Sequence, residues 1–137
     1  MDQRYMDVAL EEAKKAYNEG NTPVGAVIVH KDTIIAKSHN TKNSTNVATH
    51  HAELLAIEKA CKKLKTWRLN DCTMYVTLEP CSMCYGAIAE ARIKRVVYIV
   101  ESKYQELLDN SNNVVIDKFK TDKIYEELLK NFFKEIR

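Results

Sequence analysis

Four residues of this 137-residue chain have types and spacing that point to chemistry: His51, Glu53, Cys81 and Cys84. His51-Ala52-Glu53 is followed, after 26 intervening residues, by Pro80-Cys81-Ser82-Met83-Cys84. Zinc takes nitrogen and sulfur ligands in a tetrahedron, and a catalytic zinc site uses three protein ligands, leaving the fourth position to water. His51, Cys81 and Cys84 make three. Cysteines at i and i+3 share one face of a helix, so both can grip one ion if a helix opens near Pro80, a residue suited to helix entry. The positive end of that helix would favour the thiolate, the form that binds metal.

Residues at i and i+2 of a helix do not face each other, so Glu53 is not expected to ligate beside His51. It is free to work. With the ion end-on to the first turn of a helix opening near Thr49 or His50, Glu53 reaches a water whose pKa the zinc lowers to roughly 7. The carboxylate would take that water's proton, deliver it to a ring nitrogen and help to protonate a departing amine, which is hydrolytic deamination. H-x-E…P-C-x-x-C is the general signature of zinc-dependent nucleobase deaminases. Each half alone has a plainer reading: C-x-x-C as a structural zinc half-site or redox pair, H-x-E as solvated helix surface. A non-catalytic, zinc-stabilised binding module would close its fourth coordination position with Cys61, Cys72 or His50. Glu53 separates the two readings, because a structural site has no use for an unligated carboxylate.

The elements that must position these groups follow from periodicity. Tyr5, Met6, Ala9, Leu10, Ala13, Ala16 and Tyr17 repeat at helical spacing, with Gly20 at a C-cap. Val24 to Val29 and Thr33 to Ala36, separated by Lys31-Asp32, read as a hairpin. Ser38 to Thr49 is polar and Asn-rich, a loop leading into the His-Glu helix, whose Leu54, Leu55, Ile57, Ala60, Cys61 and Leu64 form an apolar face. Thr73 to Leu78 is a strand, Cys81 to Ala91 a helix supported by Met83, Ala87, Ile88 and Ala91, and Val96 to Val100 a strand. This β-α-β order predicts a parallel pair. Gln105 to Leu108 is a short helical centre, Val114 to Ile116 a short strand, and the tail from Asp122 a helix. Its stripe Ile124, Leu128, Phe132 and Ile136, with Tyr125, Leu129 and Phe133 alongside, is a packing face. Gly25 and Gly86 suggest close backbone approach, Gly86 near the metal.

At 45% hydrophobic residues, the chain fits one domain, residues 1–137, with a core of its own. Cys61 and Cys72 have the surroundings of buried thiols, and the four cysteines do not read as an extracellular disulfide framework. The N-terminal segment carries Asp2 and Asp7 and no apolar core, and no membrane-length apolar run occurs, so a cytoplasmic protein is expected. A net charge of +2 neither demands nor excludes a nucleic-acid substrate. Two basic stretches stand out: Lys59, Lys62, Lys63, Lys65 and Arg68, then Arg92, Lys94 and Arg95, the second being the better candidate for RNA.

With these motifs in hand, the chain resembles the bacterial tRNA-specific adenosine deaminase (TadA) family of the cytidine deaminase-like superfamily, over about residues 4 to 98. Beyond the zinc motif the resemblance rests on Thr22-Pro23-Val24-Gly25-Ala26-Val27, His39-Asn40 and Tyr75-Val76-Thr77-Leu78-Glu79-Pro80-Cys81-Ser82-Met83-Cys84. It implies a three-layer α/β/α domain around a five-stranded mixed sheet, one Zn2+ per chain, a homodimer with active sites near the subunit interface, and the anticodon stem-loop of a tRNA as substrate. It also implies that Asn40 hydrogen-bonds the flipped base and that Val24 and Ala26 line the pocket. Family members typically continue Gly-Ala-x-Asp-x-Lys-x-Gly, where this chain reads Ile99-Val100-Glu101-Ser102-Lys103-Tyr104-Gln105-Glu106. The second reading is therefore a deaminase of a free base or nucleoside, guanine or cytosine/cytidine.

Overall fold

A computed structural model of the chain describes residues 2–102 and 114–135. Helix α1 (Gln3–Asn18) opens on the Asp2 carboxylate, which accepts the Arg4 N–H, and Gly20 follows its end at φ 84. Strands β1 (Gly25–His30) and β2 (Thr33–His39) are joined by Lys31 and Asp32, both at positive φ, the turn whose twist suits an antiparallel hairpin. A one-turn helix α2 (Lys42–Thr45) interrupts the polar segment that follows. Then come α3 (Ala52–Leu64), β3 (Cys72–Leu78), α4 (Ser82–Glu90), β4 (Arg95–Val100), β5 (Val115–Lys118) and α5 (Lys123–Glu135).

The sheet order is β2-β1-β3-β4-β5. β1 runs antiparallel to both β2 and β3, whereas β3, β4 and β5 run parallel. Alternation along the strands sorts the core into two layers. Ala26, Ile28, Met74, Val76, Val96 and Tyr98 pack with Ala52, Ala56, Ala60 and Ile88, under α3 and α4. Val27, Val29, Tyr75, Val97 and Ile99 pack with Met6, Ala9, Ala13, Tyr125 and Leu129, under α1 and α5. The result is the expected α/β/α arrangement, with both zinc-motif helices on one face.

Several details differ from the sequence reading. β2 continues past Ala36 because Ser38 and His39 find ladder partners in Ala26 and Gly25, and those hydrogen bonds outweigh the polar composition. The segment read as loop also contains α2. Helix α3 buries Ala52, Ala56 and Ala60 rather than its leucines, since small residues let it lie close on the sheet, while Leu54 and Leu55 are half-buried. In α5 the packing face is Tyr125, Leu129 and Phe132, whereas Ile124 and Phe133 are exposed, a rotation of the expected stripe. Ile136 and the helical centre at Gln105 to Leu108 lie outside the described residues. Gly86 has open space where a Cβ would stand, so close packing does not explain it. Gly25 is the opposite case: a Cβ there would collide with the Ala9 carbonyl of α1 and lie 2.7 Å from Ala13 N.

Candidate active site and metal centre

Parallel pairing of β3 with β4 sends α4 back over the sheet, so its first turn lies at the carboxyl end of β3, where α3 also begins. His51 is the N-cap of α3 and Cys81 the N-cap of α4; both are extended, and neither side chain caps its own helix. Instead they turn toward each other. Cys81 Sγ lies 3.9 Å and Cys84 Sγ 3.5 Å from His51 Nδ1, and the three atoms fall within 4.8 Å of one another. A tetrahedral zinc with the usual bond lengths spaces such ligand atoms about 3.5–3.8 Å apart. The donor set therefore fits the ion.

Electrostatics favour the same occupant. The Cys81 thiol is pulled down to about 3 by its hydrogen bonds with Cys84 and then His51, whereas the Cys84 thiol is pushed up by its bond to Cys81 and by burial. Negative charge on one sulfur opposes it on the other, and a dication between them would stabilise both thiolates. Glu53 is 4% exposed, and burial pushes its carboxyl up to about 7, against its own backbone N–H and the His51 charge. It contacts Cys84 yet stands outside the three-ligand group.

The proposed fourth ligands of a structural module are elsewhere. Cys72 begins the seven-residue β3, nine positions before Cys81 and about 20 Å of strand from the end where the motif cysteines lie, and its thiol is pushed up to about 11 by burial. Cys61 sits in the last turns of α3, and the His50 ring bonds Thr45 Oγ1 at 2.8 Å. Among the described residues, the metal-competent group has three members only.

Asn40 follows β2, is 6% exposed, and donates its backbone N–H to Val24 O at 3.1 Å. Val24 also keeps 6% of its surface, whereas Ala26 is fully buried and offers none to a ligand. The second basic stretch lies at the far end of α4 from the cysteines: Arg92 donates to the carbonyls of Ala89 and Glu90, and Arg95 pairs with Asp117 at 2.7 Å.

Buried polar residues that the sequence reading passed over surround this region. Asn21, fully buried, reads in sequence as a turn residue after Gly20. Glu12 on the inner face of α1 bonds His39 at 2.9 Å and Lys15 at 2.9 Å. Glu79, 2% exposed, accepts from Tyr85 Oη at 3.1 Å and Ser102 N at 3.2 Å, tying α4 to the exit of β4. A carboxylate inside an amphipathic helix or between a strand and a proline is a detectable signal, because burying it requires partners.

The MafB19-like deaminase family model matches residues 1–137. The tRNA-specific adenosine deaminase of Aquifex aeolicus is 38% identical over 97% of this chain and 94% of its own length. The chain belongs to the tRNA-specific adenosine deaminase family. The Bacillus subtilis member is 50% identical over 71% of this chain, a match spanning 60% of that protein. Family membership agrees with solved structures. A tRNA:A34 deaminase studied for A-to-I editing at the wobble position is 34% identical, with TM-score 0.76, over 85% of this chain and 96% of the other. Guanine deaminase from Bacillus subtilis is 43% identical, with TM-score 0.69, over 74% of this chain and 66% of the other. The fold is thus the cytidine deaminase-like one.

Proposed function

We propose that the chain is a zinc-dependent hydrolase that converts adenosine to inosine at the wobble position of a tRNA anticodon loop. The observation that carries this reading is a buried, non-ligating Glu53 beside a three-ligand group, in a chain that aligns nearly end to end with tRNA-specific adenosine deaminases. His51 Nδ1, Cys81 Sγ and Cys84 Sγ would hold the ion. Zinc, when bound there, supplies hydroxide at neutral pH by lowering the pKa of a coordinated water to roughly 7.

Every remaining step is the protein's own. The Glu53 carboxylate accepts a proton at one oxygen and passes it to a ring nitrogen, then helps to protonate the leaving amine. Burial keeps bulk water from competing for that proton. The Asn40 side chain hydrogen-bonds the flipped base and Val24 walls its pocket. An anticodon loop is single-stranded, so extruding its base costs little.

The reading includes one domain over residues 1–137, one Zn2+ per chain, a cytoplasmic location and a homodimer. Exposed Met83, in the first turn of α4, offers an apolar surface beside the site for a second subunit. No helix among the described residues is long and apolar enough to cross a membrane.

The test is to incubate the purified protein with tRNA and with free adenosine, cytidine and guanine, measuring ammonia and identifying the modified base. Inosine in the tRNA supports the proposal. Turnover of guanine or cytidine with tRNA left unmodified overturns the substrate and favours a free-base or nucleoside deaminase.

A further inference from the structure

Helix α2 begins immediately after Asn40, and its first three N–H groups are the orphan donors of a helix start. Thr41 at the N-cap makes no side-chain bond to them. Asparagine oxygens take all three. Asn40 Oδ1 accepts from Lys42 N at 3.0 Å, and Asn21 Oδ1, reaching over from the α1–β1 connection, accepts from Asn43 N at 2.9 Å and Ser44 N at 3.0 Å. Asn21 also donates through Nδ2 to Ser44 Oγ at 2.8 Å. A fully buried amide thus caps a helix from outside it. Because Asn40 spends its oxygen on the same turn, the rotamer of Asn40 depends on α2 staying where Asn21 holds it.

The residue on the other side of Asn40 is fixed as firmly. His39 Nδ1 lies 2.9 Å from Glu12 Oε1 and its Nε2 lies 2.9 Å from Glu19 Oε1, so both ring nitrogens are tied to α1 and its C-cap. Glu12 is itself buried and braced by Lys15. With its oxygen engaged, Asn40 has its amide nitrogen left to donate, and that nitrogen makes no hydrogen bond to any described residue.

We propose that Asn21 on one side and the Glu12–His39–Glu19 group on the other are positioning residues that aim the Asn40 amide at the base. The inference rests on the reading that Asn40 contacts the substrate. Neither Asn21 nor His39 touches that substrate. Their effect is exerted through the two backbone segments that meet at Asn40.

The experiment compares Asn40→Ala, Asn21→Ala, Asn21→Asp and His39→Gln with the parent in steady-state kinetics, zinc content and thermal unfolding. The substrate is the tRNA, or the free base if that is what the parent turns over. Asn21→Ala and His39→Gln should raise KM about tenfold, as Asn40→Ala does, with kcat within about threefold and one zinc per chain retained. Asn21→Asp keeps an acceptor for both N–H groups and should restore KM to near the parent value. A merely structural role would lower the melting temperature and the active fraction without moving KM. If Asn40→Ala raises KM while Asn21→Ala and His39→Gln do not, the positioning inference fails and the base contact stands. An unchanged KM in Asn40→Ala overturns both.

Discussion

The N–H of Asn40 donates to the carbonyl of Val24 at 3.1 Å, so the residue leaving β2 and the residue entering β1 are locked to each other. One lies beside Gly25, whose backbone presses on α1, and the other beside His39, whose ring is tied to α1. Helix α1 is remote from His51, Cys81 and Cys84 in sequence and packs on the other face of the sheet, yet it braces the strand ends on both sides of this contact.

Gly25→Ala should therefore be costly. The new methyl would meet the Ala9 carbonyl, Ala13 N and Glu12 Cβ, two of them backbone atoms that cannot step aside. Overpacking of this kind costs about 1–3 kcal/mol and sometimes more. Thermal unfolding should show a midpoint roughly 5 °C or more below the parent. A melting point within a degree of the parent would mean that α1 can lift off β1 freely.

Glu53→Gln should leave the ion in place and remove turnover, since an amide cannot shuttle a proton and the three ligand side chains are untouched. The expected loss is about 100- to 10,000-fold in kcat with zinc stoichiometry unchanged. Activity within tenfold of the parent would take Glu53 out of the chemistry.

The same residues show what a sequence discloses. The grouping of His51, Cys81 and Cys84 was legible because metal chemistry restricts both residue type and spacing, and Pro80 marked the start of α4, whereas α3 starts at Ala52, two or three residues after the expected Thr49 or His50. The β-α-β pairing followed from apolar runs of strand length. Asn21 was not legible, nor were the partners of Glu12 and His39, since these contacts span up to 27 positions and nothing local distinguishes Asn21 from a turn asparagine, although a carboxylate at position 12 inside an amphipathic helix was a signal to be followed. The α5 stripe was misjudged for a related reason. Ile124 and Tyr125 both fit an apolar stripe in sequence, but Tyr125 is buried with its hydroxyl donating to the Pro23 carbonyl at 2.7 Å, a contact 102 positions away that nothing local announces, and Ile124 is exposed.

Among the cysteines, Cys81→Ser and Cys84→Ser should each lose zinc and lower stability, because metal binding contributes to folding free energy. Cys61→Ser and Cys72→Ser should retain one zinc per chain and most activity, as neither belongs to the three-ligand group. Metal analysis of the four purified variants checks this. Zinc missing from the Cys72 variant would revive the structural-module reading.

Acid should weaken the fold partly through Glu12. Burial opposes its charge, but the hydrogen bonds from His39 and Lys15 prevail and hold its carboxyl below the ordinary 4.5. A carboxyl whose folded pKa is depressed stabilises fully above the unfolded value, and that contribution disappears as pH falls through the folded one. Glu12→Gln should thus reduce the urea midpoint at pH 7 and lose progressively less relative to the parent below about pH 4.5. Equal penalties at pH 7 and pH 3 would assign the effect to packing rather than charge.

Salt dependence should locate the RNA contacts. The second basic stretch, favoured from sequence, begins beyond the last turn of α4, and Arg92 and Arg95 are already engaged with carbonyls and with Asp117. Lys42 is exposed and adjoins the Asn40 turn, and its charge reaches His51, where it partly opposes the Cys81 hydrogen bond that raises the imidazole's pKa overall. If the substrate is a tRNA loop, each phosphate contact contributes about 0.7 to the slope of log K against log salt for single strands. Lys42→Ala should reduce that slope by about one contact's worth, while the Arg92→Ala, Lys94→Ala double variant should leave it nearly unchanged. Anisotropy titrations with an anticodon stem-loop between 50 and 200 mM salt, roughly the range over which such contacts are lost, give both slopes. A reduced slope in the double variant and none in Lys42→Ala would move the RNA to the opposite end of α4.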